Sequence, residues 1–258
     1  MPRPTRFWKL SGAGNDFVLV EGPLAGPKAK ALARRLCDRR EGVGADGLLV
    51  AARSRVLYLN ADGSEAFCGN GARCAAWWLR RHGWGGERFE LSGVPVRAAV
   101  AGASARVNMP DATPPRRLKV LAEGRTYDAL FLDTGVPHAV VRVPAAALGR
   151  FPVVTVGRAL RRHRAFGRAG ANVDFVAAAG KGLRLRTYER GVEDETSACG
   201  TGAVAAAVAA GGRRSGRVRV EALGGTLTVS FAPRKDGGFT DVWLEGPVRQ
   251  VFTGEVTL

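Results

Sequence analysis

Short apolar runs, interrupted every few positions by glycine, proline or charge, dominate the pattern of this chain of 258 residues. In the first half, runs typical of β-strands lie at 7–10, 16–20, 48–51, 56–60, 87–91, 95–100 and 105–109. Two stretches have helical spacing instead. They predict one helix at 27–40 and another at 72–81, which Gly83 ends.

The second half repeats this mixture. Strands are predicted at 125–134, 139–143 and 183–188, short basic helices at 145–150 and 156–164, and four more strands between 217 and 257. Two echoes suggest an internal repeat: residues 171–176 resemble 14–18, and Cys-Gly-x-Gly-Ala occurs at Cys68 and at Cys199. The pattern therefore predicts a mixed α/β (α+β) fold of two pseudo-symmetric halves, each a curved, mostly antiparallel sheet around a central helix.

A change in composition marks the best domain boundary. The proline-containing stretch at 111–115 separates a first half, 1–114, from a second half, 115–249. Each half then carries one of the two repeated cysteines. We therefore expect each half to offer one cysteine to a shared site.

The net charge of +16 raises the question of a polyanion partner. Arginine supplies 33 of the 39 basic residues, but the arginines are spread over the whole chain, and only residues 158–168 form a dense local patch. A compositional bias of the source genome explains this spread better than nucleic-acid binding does. We therefore do not expect a nucleic-acid partner.

Targeting and redox features indicate a soluble, cytoplasmic protein. The basic start of the chain leads into 7–11 without an apolar segment or a cleavage site. The longest small-apolar run, 203–210, is far shorter than the roughly 20 residues of a membrane span, so we expect no membrane association. The four cysteines are expected to be thiols rather than disulfides, and Cys37 and Cys74 are interpreted as small buried residues.

The repeated cysteines suggest acid/base chemistry at carbon. A helix N-terminus offers unpaired N–H groups and partial positive charge, which stabilise a thiolate and bind a carboxylate. Two such helix starts facing each other suit a racemase or epimerase, in which one sulfur removes a Cα proton and the other returns one on the opposite face. This chemistry needs no cofactor, and none of the six lysines lies in a recognisable pyridoxal site. A zinc site is not expected, because Cys-x₅-Cys with only three histidines lacks ligand spacing.

Eight motifs in order make the sequence resemble the diaminopimelate epimerase family over nearly its whole length. They are Gly-Ala-Gly-Asn-Asp-Phe at 12–17, Gly-Val-Gly-Ala-Asp-Gly at 42–47, Asn-Ala-Asp-Gly-Ser-Glu at 60–65, Cys-Gly-Asn-Gly-Ala-Arg-Cys at 68–74, Pro-His at 137–138, the stretch 168–175, Tyr-Glu-Arg-Gly at 188–191 and Glu-Thr-Ser-Ala-Cys-Gly-Thr-Gly at 195–202. The resemblance implies a cofactor-independent, metal-free epimerase with its active site in the cleft between the halves. It also implies that a last strand, within 250–258, returns to the first half, and that a homodimer is possible.

The resemblance assigns roles by position. Cys68 and Cys199 match the acid/base pair of the family. The positions whose N–H groups match those that bind the reacting carboxylate are Gly69, Asn70, Gly200 and Thr201. The matched positions for substrate recognition are Asn15, Asn60, Asn172, Glu189 and Arg190. Of these, Asn60, Asn172 and Arg190 suit a distal carboxylate, and Glu189 suits an ammonium group. His138 and Glu189 are expected to help set which cysteine is deprotonated.

Two positions depart from part of the family. Val136 stands where some members carry a substrate-binding asparagine, and Gly47 where some carry glutamine. Either subgroup variation or altered specificity explains them. The implied substrate is diaminopimelate; the alternatives are a related two-thiol racemase acting on proline, hydroxyproline or histidine, and a polyanion-binding protein with a relic site.

Overall fold

The computed structural model describes residues 4–23, 26–212 and 214–257. The chain forms two compact units, of which the first comprises Met1–Val107 and Glu245–Leu258 and the second Asn108–Leu244. The sequence predicts these limits later in the chain, after residues 114 and 249. Within the described ranges, no helix is long and apolar enough to cross a membrane.

Strands and short helices alternate along the whole chain. The elements of residues 4–108 are β1 Pro4–Gly12, β2 Asn15–Glu21, α1 Gly26–Cys37, β3 Gly47–Ala52, β4 Arg55–Asn60, α2 Gly69–Arg81, β5 Arg88–Leu91, β6 Val94–Ala101 and β7 Ser104–Asn108. Those that follow are β8 Arg116–Ala122, β9 Arg125–Asp133, β10 Pro137–Arg142, α3 Ala145–Leu148, α4 Val153–Arg161, a 3-10 turn Arg164–Phe166, β11 Asn172–Ala179, β12 Gly182–Glu189, β13 Asp194–Thr196, α5 Gly200–Gly211, β14 Gly216–Ala222, β15 Gly225–Pro233, β16 Phe239–Pro247 and β17 Arg249–Thr257.

Both units repeat one order of strand pairing. In the first, β1–β2, β3–β4 and β5–β6 are antiparallel, whereas β2–β3 and β4–β5 are parallel. In the second, β9–β10, β11–β12 and β14–β15 are antiparallel, whereas β10–β11 and β12–β14 are parallel. A parallel pair needs a long crossover, and each of these crossovers contains a helix. The predicted mixed α/β fold of curved, mostly antiparallel sheets is confirmed, and α2 and α5 are equivalent helices within it.

The echo between residues 14–18 and 171–176 is wrong as a guide to this repeat. The first segment lies in β2, which pairs antiparallel with β1. The second lies in β11, whose counterpart is β3 rather than β2. The similar letters therefore occupy different positions of the repeat, which is why their distances to the following cysteine differ.

Locally, the structure differs from the prediction in the start of one helix and in two strands that were not predicted. Helix α2 begins at Gly69 rather than at residue 72, because the Cys68 side chain caps it. Strand β8 was missed, since its basic residues hide the buried alternation of Val120 and Ala122. The three-residue strand β13 was missed because it is too short to show a period.

The equivalent helices α2 and α5 are central in their units. All residues of α2 from Gly69 to Leu79 are buried, and the helix packs against β1, β2, β3 and β6. Helix α5 is buried over most of its length against β9 to β12, β14 and β15. On the other face of the first sheet, α1 packs on Val18, Val20 and Leu48. Strands covered on both faces have continuous apolar runs, as at 17–20.

Candidate functional site

The two repeated cysteines have the same local geometry. Each is the N-cap of its helix in an extended conformation, with φ −127° and ψ 110° for Cys68, and φ −114° and ψ 113° for Cys199. In both, Sγ accepts the backbone N–H of the third helical residue at 3.3 Å: Gly71 in α2 and Gly202 in α5. The sulfur thus occupies the position of a capping oxygen and directly faces the N–H groups of a helix start.

The glycines after each cysteine let other groups approach closely, but to different degrees. A Cβ on Gly202 would lie 2.5 Å from Oδ1 of Asp174, which is too close for any real side chain. The nearest atom to a Cβ on Gly71 would be Cβ of Cys68, at an ordinary 3.5 Å. Of these two glycines, Gly202 is thus the one that lies directly against a buried carboxylate.

The thiol of Cys199 is buried in surroundings that oppose its ionisation. Burial raises its pKa well above the ordinary value, and the charges of Glu189 and Asp174 raise it further. The hydrogen bond between the sulfur and the Thr201 hydroxyl and the one from the Gly202 N–H act in the opposite direction without reversing the effect. Cys199 is therefore a neutral thiol near pH 7 unless a base takes its proton.

Asn172 fixes the protonation of His138. Its Oδ1 accepts the backbone N–H of Arg190 at 2.7 Å, so its Nδ2 faces Nε2 of His138 at 3.2 Å. An amide nitrogen only donates, so Nε2 accepts and the ring proton lies on Nδ1. Nδ1 then donates to Oδ2 of Asp174 at 2.6 Å, with both side chains fully buried. In this arrangement His138 is neutral, with a base lone pair on Nε2.

Thr201 connects this imidazole to the thiol. Its Oγ1 lies 3.0 Å from Nε2 of His138 and 3.4 Å from Sγ of Cys199. A hydroxyl can accept from the thiol while its own proton shares the Nε2 lone pair with the amide of Asn172. The second unit therefore contains a continuous hydrogen-bonded path from sulfur to a buried histidine–carboxylate pair, and Thr187 supplies a further hydrogen bond to Oδ1 of Asp174 at 2.7 Å.

The turn after β12 begins at Arg190, directly after Glu189 at the end of the strand, and is anchored by Glu193. Oε1 of Glu193 accepts from Nε of Arg161 at 2.7 Å and from the Gly191 N–H at 3.2 Å, and its carbonyl accepts from the Tyr188 hydroxyl at 2.8 Å. Glu193 itself has a left-handed backbone, φ 60°. The turn is thus fixed at both ends, since the Arg190 N–H is also bound to Asn172.

In the first unit, Asn15 and Asn70 belong to one chain of hydrogen bonds. Nδ2 of Asn70 donates to Oδ1 of Asn15 at 2.6 Å, and Nδ2 of Asn15 donates to Oδ2 of Asp46 at 2.9 Å. Arg73 donates to Oδ1 of Asn70 at 2.7 Å, and Arg39 donates to Oδ1 of Asp46 at 2.7 Å. Asn15, predicted to bind substrate, and Asn70, predicted to bind the reacting carboxylate, are therefore held between the charged side chains of Asp46 and Arg73.

Asp16 ties the loop after β1 to the loop before β3. Its carboxylate accepts from Arg39 at 2.9 Å and pairs with the buried Lys9 at 2.7 Å, and Lys9 also donates to the Gly44 carbonyl. Burial alone would raise the pKa of Asp16, but hydrogen bonds and charge from Arg39 and Lys9 hold it at about 2. The carboxylate is thus ionised at neutral pH and fixes the backbone beside Asn15.

Asn60 lies at the end of β4 in a second small network. Its Oδ1 accepts from the Tyr58 hydroxyl at 2.8 Å, and its Nδ2 donates to Oγ of Ser64 at 2.9 Å. Tyr58 occupies the space beside Gly47, because a Cβ at residue 47 would lie 2.5 Å from the tyrosine ring. In this chain a tyrosine hydroxyl therefore fills the space that a longer side chain at residue 47 would need.

Equivalent positions in the two units carry different chemistry. When the first rungs of the parallel pairs β2–β3 and β10–β11 are matched, Phe17 corresponds to His138 and Gly47 to Asn172. Two residues further along, Leu49 corresponds to Asp174. His138, Asn172 and Asp174 thus have apolar or missing counterparts in the first unit, and the two thiols lie in chemically different surroundings.

The remaining thiols are unsuited to reaction. Burial raises the pKa of both Cys37 and Cys74 to about 12. All four cysteines lie within the described residues, and no disulfide joins any of them. Over the same described ranges, no group of three or more His, Cys, Asp or Glu side chains is placed to hold a metal ion.

The structure brings some predicted residues together and adds others. His138, Asn172, Thr201 and Cys199 form one cluster, and Asn15 contacts Asn70. The sequence did not predict four further residues of these networks: Asp174, Arg73, Tyr58 and Glu193. Asp174 and Arg73 lie inside quoted motifs, and a charged residue within an otherwise buried apolar segment is the signal that could have identified them.

A sequence model of the family described as diaminopimelate epimerase matches residues 7–109 and 130–247. A diaminopimelate epimerase from Chlorobaculum tepidum is 38% identical, over 96% of this chain and the whole of that protein. One from Aquifex aeolicus is 35% identical, over 97% of both proteins. The match thus extends over nearly the full length of the curated relatives.

Solved structures share the fold at much lower identity. A phenazine biosynthesis protein of the PhzF family from Bacillus anthracis has a TM-score of 0.74 at 14% identity, covering 99% of this chain and all of that one. A hydroxyproline epimerase from Agrobacterium vitis has a TM-score of 0.71 at 16% identity, covering all of this chain and 94% of that one. These similarities concern the fold.

Proposed function

This chain belongs to the diaminopimelate epimerase family and is an amino-acid epimerase, and from that premise we propose that it inverts one centre of LL-2,6-diaminopimelate to give the meso isomer. The reaction would proceed without a cofactor, by proton transfer between thiol and thiolate. It would serve lysine and peptidoglycan precursor synthesis, in the cytoplasm. The proposed site combines residues of both units, in a cleft between them.

One observation carries the proposal: Cys68 and Cys199 are matched N-caps of the equivalent helices α2 and α5. Each sulfur accepts the N–H of the third helical residue at the same distance of 3.3 Å. Serine, threonine and aspartate are the common caps, so two cysteines at equivalent caps favour a chemical role over a structural one.

The reacting carboxylate would bind at the first N–H groups of the helices, at Gly69 and Asn70 of α2 and at Gly200 and Thr201 of α5. The first N–H groups of a helix point along its axis and carry partial positive charge, which favours binding of an anion. They would stabilise the negative charge that develops on the carboxylate when the Cα–H bond breaks. The mechanism requires the two sulfurs on opposite faces of that carbon.

The two cysteines then exchange one proton each with the substrate. A thiolate takes the Cα proton and becomes a thiol, while the other thiol gives its proton to the opposite face and becomes a thiolate. Net charge and proton count are conserved, but the thiol and the thiolate have changed places. Transfer of a proton through solvent or through neighbouring groups resets the enzyme.

His138 would manage the proton of Cys199. In this step the thiol gives its proton to Oγ1 of Thr201, while the Thr201 hydroxyl gives its own to Nε2 of His138. The products are a thiolate and an imidazolium, and Asp174 at 2.6 Å stabilises the imidazolium. This path offsets the burial and negative charge that raise the pKa of Cys199.

The distal end of the substrate would be recognised by Asn60, Asn172, Arg190 and Glu189. Diaminopimelate has an amino-acid group at each end, so it needs polar groups beyond the reacting centre. Proline, hydroxyproline and histidine have no second amino-acid group. The anchored turn after β12 supports a substrate with two such ends.

The test is a panel of amino acids incubated with the enzyme in D₂O, with Cα–H exchange followed by NMR and chirality by chromatography. We expect exchange and inversion for LL- and meso-diaminopimelate, and little for proline, hydroxyproline or histidine. Cys68→Ala and Cys199→Ala should each lower the epimerisation rate by several orders of magnitude. Cys37→Ala, at the buried last residue of α1, is the matched control and should retain the wild-type rate.

Turnover of proline, hydroxyproline or histidine in preference to diaminopimelate would contradict the substrate and favour a related two-thiol racemase. No exchange with any amino acid, together with salt-dependent retention on heparin or DNA, would favour a polyanion-binding protein with a relic site. Near-wild-type activity in either Cys68→Ala or Cys199→Ala would contradict the two-base mechanism.

A further inference from the structure

Arg73 is a buried cation without a carboxylate partner. Its side chain is completely inaccessible to solvent. Its guanidinium donates to three uncharged oxygens: the carbonyl of Pro247 at 2.8 Å, the carbonyl of Gly12 at 3.3 Å and Oδ1 of Asn70 at 2.7 Å. Nε is buried and has no hydrogen-bond partner. Within the described ranges, no Asp or Glu pairs with Arg73.

This placement is energetically unfavourable by itself. A charge removed from water without an opposite charge loses much of its solvation, and burial lowers the pKa of Arg73 for this reason. Arg73 is also the fifth residue of α2, near the end of the helix that carries partial positive charge. Neither the loss of solvation nor the partial positive charge of the helix start stabilises a guanidinium at this position. Negative charge on the Cys68 sulfur would raise the pKa of Arg73 again, whereas burial keeps the neighbouring Cys74 thiol neutral.

The repeat indicates that the fold does not need arginine at this position. Helices α2 and α5 are equivalent, and Arg73 and Val204 are each the fifth residue after the N-cap cysteine. Val204 is therefore the counterpart of Arg73 in the repeat. Val204 is also completely buried. An apolar side chain thus packs well at the corresponding position of an equivalent helix, so packing alone does not explain the cation.

Arg73 also fixes the direction of the hydrogen bonds beside Cys68. A guanidinium only donates, so Oδ1 of Asn70 must face it, and Nδ2 of Asn70 must then donate to Asn15. Nδ2 of Asn15 donates in turn to Asp46, whose carboxylate only accepts. A donor at one end and an acceptor at the other allow only one orientation of both amides.

We propose that Arg73 is a positioning residue, which holds a fixed positive charge behind the first turn of α2 so that this turn favours anions at and beside the Cys68 sulfur. The anions concerned are the Cys68 thiolate and the carboxylate group of an incoming molecule. The same side chain locks the amides of Asn70 and Asn15. The inference rests on the proposed function only for the identity of that carboxylate as the reacting one.

The test compares an anionic and a neutral reagent at the same sulfur. Iodoacetate and iodoacetamide alkylate Cys68 with similar geometry but differ in charge, and mass spectrometry of peptides gives a separate rate for each cysteine. The iodoacetate/iodoacetamide rate ratio at fixed pH, normalised to that of glutathione, reports the local field. We expect a higher ratio at Cys68 than at Cys199 in the wild-type protein, because Cys199 lies beside Glu189 and Asp174.

Two variants of similar size separate charge from packing. Arg73→Lys keeps the positive charge, whereas Arg73→Met removes it. The ratio at Cys68 should stay within about twofold in Arg73→Lys and fall about three- to tenfold in Arg73→Met, as expected for a buried charge at short range. Arg80→Gln is the matched control, since Arg80 lies on the same helix with an exposed side chain. It should leave the ratio unchanged.

Equal ratios in Arg73→Lys and Arg73→Met would overturn the proposal, as would a wild-type ratio at Cys68 no higher than at Cys199. The comparison of Cys68 with Cys199 in the wild-type protein does not depend on whether a variant folds. In each variant, the alkylation rate of Cys199 shows whether the surroundings of Cys199 are intact. The readout needs no substrate. If diaminopimelate is not epimerised but the ratio falls in Arg73→Met, the proposed function fails while the role of Arg73 holds.

Discussion

Asp16 gives the most quantitative prediction about the structure that supports Asn15. The change is Asp16→Asn, which removes the charge paired with Lys9 and Arg39. In the folded protein the pKa of Asp16 falls from 3.8 to about 2. Each pKa unit corresponds to about 1.4 kcal/mol, so ionisation of Asp16 stabilises the folded state by about 2 kcal/mol at neutral pH.

The sign of the pH effect follows from the lowered pKa. The stabilisation is present above the unfolded value near 3.8 and is lost as the pH falls through about 2. The gap in unfolding free energy between wild type and Asp16→Asn should therefore shrink by about 2 kcal/mol from pH 6 to pH 2. Urea unfolding followed by tryptophan fluorescence measures this gap in the relevant unit, because four of the five tryptophans, at 8, 77, 78 and 84, belong to the first unit.

Other carboxylates also titrate in this range, but they do so in both proteins. Their contributions therefore cancel in the difference in unfolding free energy between wild type and Asp16→Asn. Asp128→Asn, at an exposed position of the second unit, provides the control for loss of a carboxylate away from Lys9 and Arg39. A gap for Asp16→Asn that stays constant or widens between pH 6 and pH 2 would refute the reasoning.

Three further substitutions test how the site is supported. Glu193→Gln weakens the ion pair that anchors the turn after β12, so the KM for diaminopimelate should rise about five- to tenfold with kcat changed less than twofold; a fall in kcat alone would contradict a positioning role. Gly202→Ala places a Cβ 2.5 Å from Oδ1 of Asp174 and should lower thermal stability clearly, whereas Gly71→Ala, the equivalent change in α2, should be tolerated far better; equal melting temperatures would contradict the close approach. Tyr58→Phe removes a hydroxyl that orients the asparagine at the end of β4, worth about 1 kcal/mol, so substrate affinity should fall about fivefold by calorimetry; an unchanged affinity would show that the hydroxyl has no part in recognition.

Local features of the fold were predictable because they follow from short-range rules. Apolar runs bounded by glycine predicted most strands, and Cys-Gly-x-Gly before a small-apolar run predicted both central helix starts. The mixed fold of two similar halves followed from the same repeat. Even the error of three residues at the start of α2 concerns the cap rather than the existence of the helix.

The pairing of distant residues could not be predicted from the same rules. Nothing in the sequence shows that Asp174 lies 2.6 Å from His138, since strand register brings them together. The echo at 171–176 was misleading because local similarity does not determine which strand of a repeat a segment forms. Arg73 was overlooked because its importance depends on burial without a counter-charge, a property of the folded chain.

In the proposed mechanism, the different surroundings of the two thiols would have a functional consequence. A two-base epimerase needs one thiol and one thiolate at the start of each turnover. Cys199 has a buried acid–base partner in His138, and Cys68 has a buried cation in Arg73. Chemically unlike surroundings would let two geometrically matched helix starts take these opposite protonation states.

The most direct test of the central claim follows deuterium during the first few per cent of reaction with LL-diaminopimelate in D₂O. If one sulfur removes the proton and the other supplies a different one, the first meso product contains one deuterium at the inverted carbon, while recovered LL substrate contains almost none. A single base that both removes and returns the proton would place deuterium in substrate and product alike, or return the original hydrogen to the product. Either result would contradict the two-thiol account.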